Sequence, residues 1–371
     1  MIKNTEAAVL YETNSDLVVE NLKLAALGPK EVFVQMGAAG VCHSDVHVIS
    51  GQANQILPCV LGHEGAGLVT SIGKEVNNVS VGDHVVLSWL PYCGKCYQCV
   101  RGKTHLCKAY QKPVGNGTLL DGSCRFSNSE GPVRQLGSLG CWSEKVVVPE
   151  VCCVPVDKSI PFEIAALLGC AVTTGVGAVL NRAKVQNGET VVVIGAGGVG
   201  LSVVMAAKLK GASQVICIDQ NISARNLAIE LGATDFLVSK QSEDISKKLM
   251  ELTGVGADHV FEAVGKRKLQ SDAIDYCCSG GTVTFVGLDS EDATINLKTT
   301  AITRSEKTIS GSIYGSACTH RDFALYGEKF LEGKLPIDLM VNRRYQLREI
   351  NIALSDMLEG KPGRGVIVFD H

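Results

Sequence analysis

At 371 residues the chain exceeds what one hydrophobic core usually supports, so two domains are expected. Hydrophobic residues make up 46% and charged residues 20%, enough for a well-filled core. The net charge of −3 excludes a basic face for nucleic acid or acidic membrane.

No apolar run approaches the ~18 residues of a membrane span, and the opening MIKNTEAAVL lacks signal-peptide form, so the expected location is cytoplasmic. In such a chain the 15 cysteines are expected as metal ligands or core residues, not as a disulfide scaffold.

Residues 7–36 alternate apolar and polar in short runs around the turn Gly28-Pro29 and read as antiparallel strands. Residues 66–90 continue that pattern, with His84 in a structural place, and predict a compact, partly open β-barrel. Between them lies GVCHSDVHVISGQANQILPCVLGHEGAG, which offers Cys42, Ser44, Asp45, His47, His63 and Glu64. Thiolate and neutral imidazole are ligands that zinc prefers. Cys42 and His63 need a third partner, and Cys170 in LLGCAVTTG is the best candidate. Three protein ligands leave one tetrahedral position open, the catalytic form of a zinc site.

PYCGKCYQCVRGKTHLC then carries Cys93, Cys96, Cys99 and Cys107 at spacings suited to a closed, structural zinc site. An iron–sulfur cluster uses a similar run, but such runs usually end in Cys-Pro, and Lys108 follows Cys107 here. Residues 112–141, rich in Gly, Ser and Asn, read as a long loop over the substrate entrance. PFEIAALLGCAVTTGVGAVL reads as a helix ending near Gly169 and a second starting near Thr173.

From there strands and helices alternate. In VVVIGAGGVGLSVVMAAKLKGA, the glycines Gly195, Gly197 and Gly200 stand between an apolar strand and an apolar helix, the context of a dinucleotide-binding turn. The strand QVICID ends on Asp219, 19 residues past Gly200, where an acid accepts ribose hydroxyls and repels a 2′-phosphate, favouring NAD. Strands at DHVFEAVG, GTVTFVGL and TISGSIYG complete a doubly wound parallel sheet, so the fold class is α/β. From roughly Ser316 the rhythm is lost, and the closing GVIVFDH is expected to return to the first domain. The expected division is 1–171 catalytic, 172–315 dinucleotide-binding and 316–371 returning.

The motifs GVCHSDVH, GHEGAG, the four-thiol lobe, DGSCRF, LGCAVTTG, GAGGVG and Asp219, in that order, span nearly the whole chain. Together they resemble the zinc-dependent medium-chain alcohol dehydrogenases, and the DGSCRF loop is similar to the dimeric class I and class III branch. The resemblance implies a GroES-like, mostly β catalytic domain beside a Rossmann domain, two zinc ions per chain, NAD and a homodimer. It further implies that Cys42, His63 and Cys170 hold the catalytic zinc, with Asp45 fixing the His63 tautomer and Glu64 behind the metal. Thr174 and Val199 would pack on nicotinamide, with Gly198 in the turn, His43 and Arg364 near the pyrophosphate, and Trp89 walling the alcohol pocket. The metal's Lewis acidity lowers the pKa of the alcohol, whose carbon then gives hydride to NAD⁺. Ser44 would take the proton and pass it through ribose to His47.

Ala53 and Gln111 stand where the glutathione-dependent branch has Asp and Arg, removing two charged handles for a thiol adduct. Ala224 and then Arg225 occupy the region where a basic residue usually follows the ribose-binding acid. The expected substrates are therefore small primary alcohols and aldehydes, medium-chain or aromatic. The alternatives are a thiol-adduct or formaldehyde dehydrogenase and a catalytically silent zinc- and nucleotide-binding module.

Overall fold

The computed structural model describes residues 3–239 and 244–370. The strands Lys3–Leu10, Val18–Leu24, Phe126–Ser127, Pro132–Gln135 and Cys59–Val60 close into a barrel. Beside it lies a seven-stranded sheet. Its central strand, Glu31–Gly40, is buried along nearly its whole length and pairs with Gly65–Ile72, Lys145–Pro149 and Arg364–Val368. The small residues at its end let other groups approach: the Trp142 indole, fully buried, donates its N–H to the Gly40 carbonyl at 3.0 Å. Val341–Tyr345 pairs parallel to Arg364–Val368, so the late part of the chain lies in the same sheet as residues 31–40.

The 112–141 segment differs from the expected loop. It contributes a short helix, Gln111–Gly115, and two barrel strands, with Leu119, Phe126 and Val133 buried. Arg125 ties it down by two bonds to the nearly buried Glu31 carboxylate, Nε–Oε2 at 2.8 Å and Nη2–Oε1 at 2.5 Å.

The second sheet has six parallel strands in the order Asp235–Val238, Gln214–Asp219, Thr190–Ile194, Ala257–Glu262, Cys277–Phe285, Thr308–Gly311. Thr190–Ile194 is almost wholly apolar because helices cover both faces of such a sheet. The helix Gly198–Leu209 that follows is buried nearly all round, in keeping with its all-round apolar sequence. The doubly wound parallel sheet read from the sequence is therefore present.

The helices Phe162–Leu168 and Ala171–Gly177 belong to the core joining the two sheets, and the second begins two residues before the expected Thr173. Among the described residues no single helix is long and apolar enough to cross a membrane.

Candidate metal and dinucleotide site

Cys42 follows the central strand and precedes the helix His43–Ile49; His63 and Glu64 lead into the next strand; Cys170 sits at the break between two helices. These four residues, drawn from three separate stretches of sequence, bring one ligand atom each to within 4.8 Å of the others. The His63 Nε2 atom is buried and has no hydrogen-bond partner. Its other ring nitrogen, Nδ1, lies 3.1 Å from Asp45 Oδ1, which also accepts the Gly62 backbone N–H at 3.0 Å. Asp45 is fully buried, so this pair fixes the imidazole with Nε2 aimed at the two thiols.

The electrostatics of the cluster are consistent with that arrangement. Burial pulls the His63 pKa down, but the Asp45 charge overrides it and holds the imidazole well above its ordinary value. The Cys42 thiol is held well below its usual range by hydrogen bonding from Cys170, against the effect of burial, while the Cys170 thiol is raised. The lowered pKa of the Cys42 thiol and the Asp45 charge beside His63 both favour positive charge at the centre of the cluster, on a proton or on a bound cation. Two soft thiols and a correctly presented imidazole nitrogen fit zinc.

Behind the ligands, Glu64 is fully buried; burial raises its pKa to about 7 even though Arg364 opposes that shift. Arg364 Nη2 bonds to Glu64 Oε2 and donates to the Val41 carbonyl at 2.9 Å, and Glu64 Oε1 accepts the Ala171 N–H at 3.1 Å. Arg364 also reaches the glycine turn, since a Cβ on Gly198 would lie 2.2 Å from its Nη1. One guanidinium thus links the metal-type cluster to the start of the Gly198–Leu209 helix, where backbone N–H groups suit a pyrophosphate. The turn itself requires glycine: a Cβ on Gly200 would lie 1.8 Å from the Gly195 carbonyl. Gly197 precedes this helix in extended backbone, and Val199 lies in its first turn.

Asp219 ends the neighbouring strand, with Oδ2 accepting from the Ala196 N–H at 2.7 Å and Oδ1 from the Asn221 N–H at 2.8 Å. Each carboxylate oxygen keeps further acceptor capacity for a ribose hydroxyl. Ser44 and His43 are exposed, and Ser44 Oγ lies 3.8 Å from Cys42 Sγ; His47 is half-buried in the same short helix. Thr174 is buried in the helix after Cys170. The Trp89 ring meets His63 edge-on, with ring centres 6.3 Å apart.

The four-thiol lobe stands apart from this cluster. Tetrahedral zinc with Zn–S bonds of about 2.3 Å puts its sulfurs about 3.8 Å from one another. The Sγ separations are 3.5 Å for Cys96–Cys99, 3.8 Å for Cys96–Cys107 and 3.7 Å for Cys93–Cys107. The Cys99 N–H and neighbouring groups bring the Cys96 pKa to about 6, poising it as a thiolate ligand.

Two associations were not read from the sequence: the Glu64–Arg364 pair, 300 residues apart, and the Tyr314 ring, whose centre lies 4.8 Å from that of Trp89. The apolar periodicity around Tyr314 signals only a strand end.

A parallel dinucleotide-type sheet joined to a mostly β domain that carries a two-thiol, one-imidazole cluster defines a zinc-type oxidoreductase. The alcohol dehydrogenase GroES-like domain family matches residues 28–158, and the zinc-binding dehydrogenase family matches residues 198–331. The chain is 37% identical to S-(hydroxymethyl)glutathione dehydrogenase of Saccharomyces cerevisiae, covering 98% of this chain and 96% of that protein. It is 36% identical to an NDMA-dependent alcohol dehydrogenase of Amycolatopsis methanolica, covering 98% of each. The crystal structure of benzyl alcohol dehydrogenase from Acinetobacter calcoaceticus superposes with a TM-score of 0.92 at 32% identity, covering 99% of this chain and 100% of that one. The chain belongs to the zinc-dependent medium-chain alcohol dehydrogenase family.

Proposed function

We propose that this protein is an NAD-dependent zinc alcohol dehydrogenase that interconverts primary alcohols and aldehydes, with aromatic or medium-chain compounds as its substrates. The observation that carries the reading is the convergence of Cys42, His63 and Cys170 beside Arg364, which also reaches the glycine turn. Those three residues would hold one zinc, and Cys93, Cys96, Cys99 and Cys107 a second. Bound at the first site, zinc supplies Lewis acidity that makes a substrate hydroxyl acidic near neutral pH.

The chain's own residues do the rest. Asp45 keeps His63 oriented, and Glu64 lies behind the ligands as an internal carboxylate that can approach the metal. Ser44, exposed beside Cys42, would take the substrate proton, and His47 in the same helix would exchange it with water. Arg364, His43 and the N–H groups of the turn at Gly195, Gly197, Gly198 and Gly200 receive the pyrophosphate. Asp219 would hold the ribose of a bound dinucleotide, and Thr174 and Val199 would hold its nicotinamide. Trp89 walls the pocket, which supports a planar or extended substrate. We take residues 1–171 and 316–371 as the catalytic unit and 172–315 as the dinucleotide unit, and we infer a cytoplasmic homodimer.

A thiol-adduct or formaldehyde dehydrogenase is the second reading, favoured by the yeast relative's activity and opposed by Ala53 and Gln111. The deciding experiment is NAD⁺ reduction by zinc-replete protein over alcohols from ethanol to benzyl alcohol, with formaldehyde tested with and without glutathione. Turnover of benzyl or medium-chain alcohols is expected. Cys42→Ala should lower kcat/KM more than about 100-fold, since even loss of a ligand's hydrogen-bond partner costs about 10–100-fold. Turnover of formaldehyde alone, dependent on thiol, would replace the first reading by the second.

A further inference from the structure

Tyr314 was read only as part of the strand stretch TISGSIYG, yet its side chain enters the heart of the site. It is 1% exposed, and its hydroxyl donates to the carbonyl of Gly169, the residue immediately before Cys170. Its ring packs on Trp89 at 4.8 Å on one side and meets Phe323 edge-on at 6.5 Å on another. The backbone here is unusual: Tyr314, Gly315 and Ser316 have φ of +51°, +62° and +51°. A bulky non-glycine residue rarely adopts this region, and such strain persists only where surrounding contacts enforce it. Those contacts are with the helix after Cys170. A Cβ on Gly315 would lie 2.1 Å from the Thr173 carbonyl, and Asn181 Nδ2 donates to the Gly315 carbonyl at 3.2 Å.

Gly169 has little room of its own to adjust. A Cβ there would lie 3.1 Å from the Leu87 carbonyl and 3.4 Å from the Gly65 nitrogen. The Cys170 carbonyl is engaged by the Thr174 N–H at 2.8 Å, so the Gly169 peptide sets the direction in which the Cys170 thiol leaves the chain.

The geometry points to Tyr314 as a positioning residue: its buried hydroxyl fixes the Gly169 carbonyl and so aims the Cys170 thiol, while its ring backs Trp89. This inference rests on the reading that Cys170 is a zinc ligand. It makes the segment at residues 313–316, contributed from beyond the parallel sheet's last strand, a part of the metal site's support. A phenylalanine could back Trp89 equally well; the hydroxyl is what reaches the ligand's peptide.

The test is Tyr314→Phe, with Phe323→Leu as a variant that disturbs the ring's packing and leaves the hydroxyl. Zinc release to a chromogenic chelator is followed for both sites, and the absorption spectrum is recorded with cobalt in the three-ligand site. In Tyr314→Phe the three-ligand site should release zinc about tenfold faster, with an altered thiolate–cobalt band, while the four-thiol site keeps its rate. Phe323→Leu should leave the band unchanged. For benzyl alcohol oxidation, kcat should fall more than KM rises. Unchanged release and an unchanged band in Tyr314→Phe would overturn the inference, as would equal acceleration at both zinc sites. A changed band in Tyr314→Phe, with an unmutated protein that turns over no alcohol, would uphold the positioning role and sink the dehydrogenase reading instead.

Discussion

Asp45 need never touch a substrate to govern the reaction. Its carboxylate meets His63 Nδ1 and the Gly62 N–H from a position with no solvent access. Asp45→Asn keeps the shape but offers the ring a neutral amide, which no longer selects one tautomer. We expect zinc affinity of the three-ligand site, measured by chelator competition, to fall about 10–100-fold, with the four-thiol zinc retained. Asp219 is proposed to act on the ribose of the dinucleotide. Asp219→Ser removes a charged acceptor worth about 1.5–3 kcal/mol. The kcat/KM for NAD⁺ should therefore drop about ten- to a hundredfold, with relative gain for NADP⁺. Steady-state comparison of the two coenzymes checks this, and a melting curve checks that the Ala196 N–H, which Asp219 also holds, has not unravelled the turn. The family resemblance implied the Asp45–His63 contact, which the structure contains, and Asp219 was singled out by its offset from the glycine turn. Arg364 was expected near the pyrophosphate, but its bond to Glu64 was not read, since no local pattern signals a pair 300 residues apart.

At the level of elements, the 112–141 segment teaches most. Its glycines and polar residues read as a loop, and the two strands it contains, Phe126–Ser127 and Pro132–Gln135, are too short to leave a period-two signature. What orders the segment is a long-range ion pair that sequence cannot announce. Arg125 grips Glu31 with two nitrogens, and the pairing raises the guanidinium's already high pKa. Arg125→Ala leaves the Glu31 carboxylate, 7% exposed, without its partner. We expect a loss of about 3 kcal/mol in urea unfolding, with early proteolytic cleavage between residues 115 and 135. By contrast, the Gly198–Leu209 helix and its preceding strand were legible in full, because apolar runs, glycine spacing and burial all agree there.

For the whole molecule, the parallel sheet leaves Thr308–Gly311 at its edge, paired on one side with Cys277–Phe285. The proposed homodimer would use this edge, with exposed Leu297 and Ile313 nearby in the chain. Nothing lies within 4 Å of a Cβ built on Gly311, so Gly311→Lys adds a charge there without a clash inside the chain. Sedimentation should then show a 39.3 kDa species in place of a dimer. Sedimentation of the variant unchanged from the wild-type dimer would move the joining surface elsewhere.

The pairing of Arg364–Val368 with Glu31–Gly40 bears on how the protein is made. During synthesis Arg364 follows Gly40 by more than 300 residues. At about 5–20 residues per second, the ribosome therefore delivers this neighbour roughly a quarter of a minute to a minute late. The strands from Thr190 to Gly311 need no such wait, because all their partners lie within that interval. The coenzyme sheet can thus fold on the nascent chain, while Cys42 and His63 stand without the guanidinium that will neutralise Glu64. The candidate ligands Cys42, His63 and Cys170 are all made well before Arg364, so the ligand set exists before the cation that pairs with Glu64.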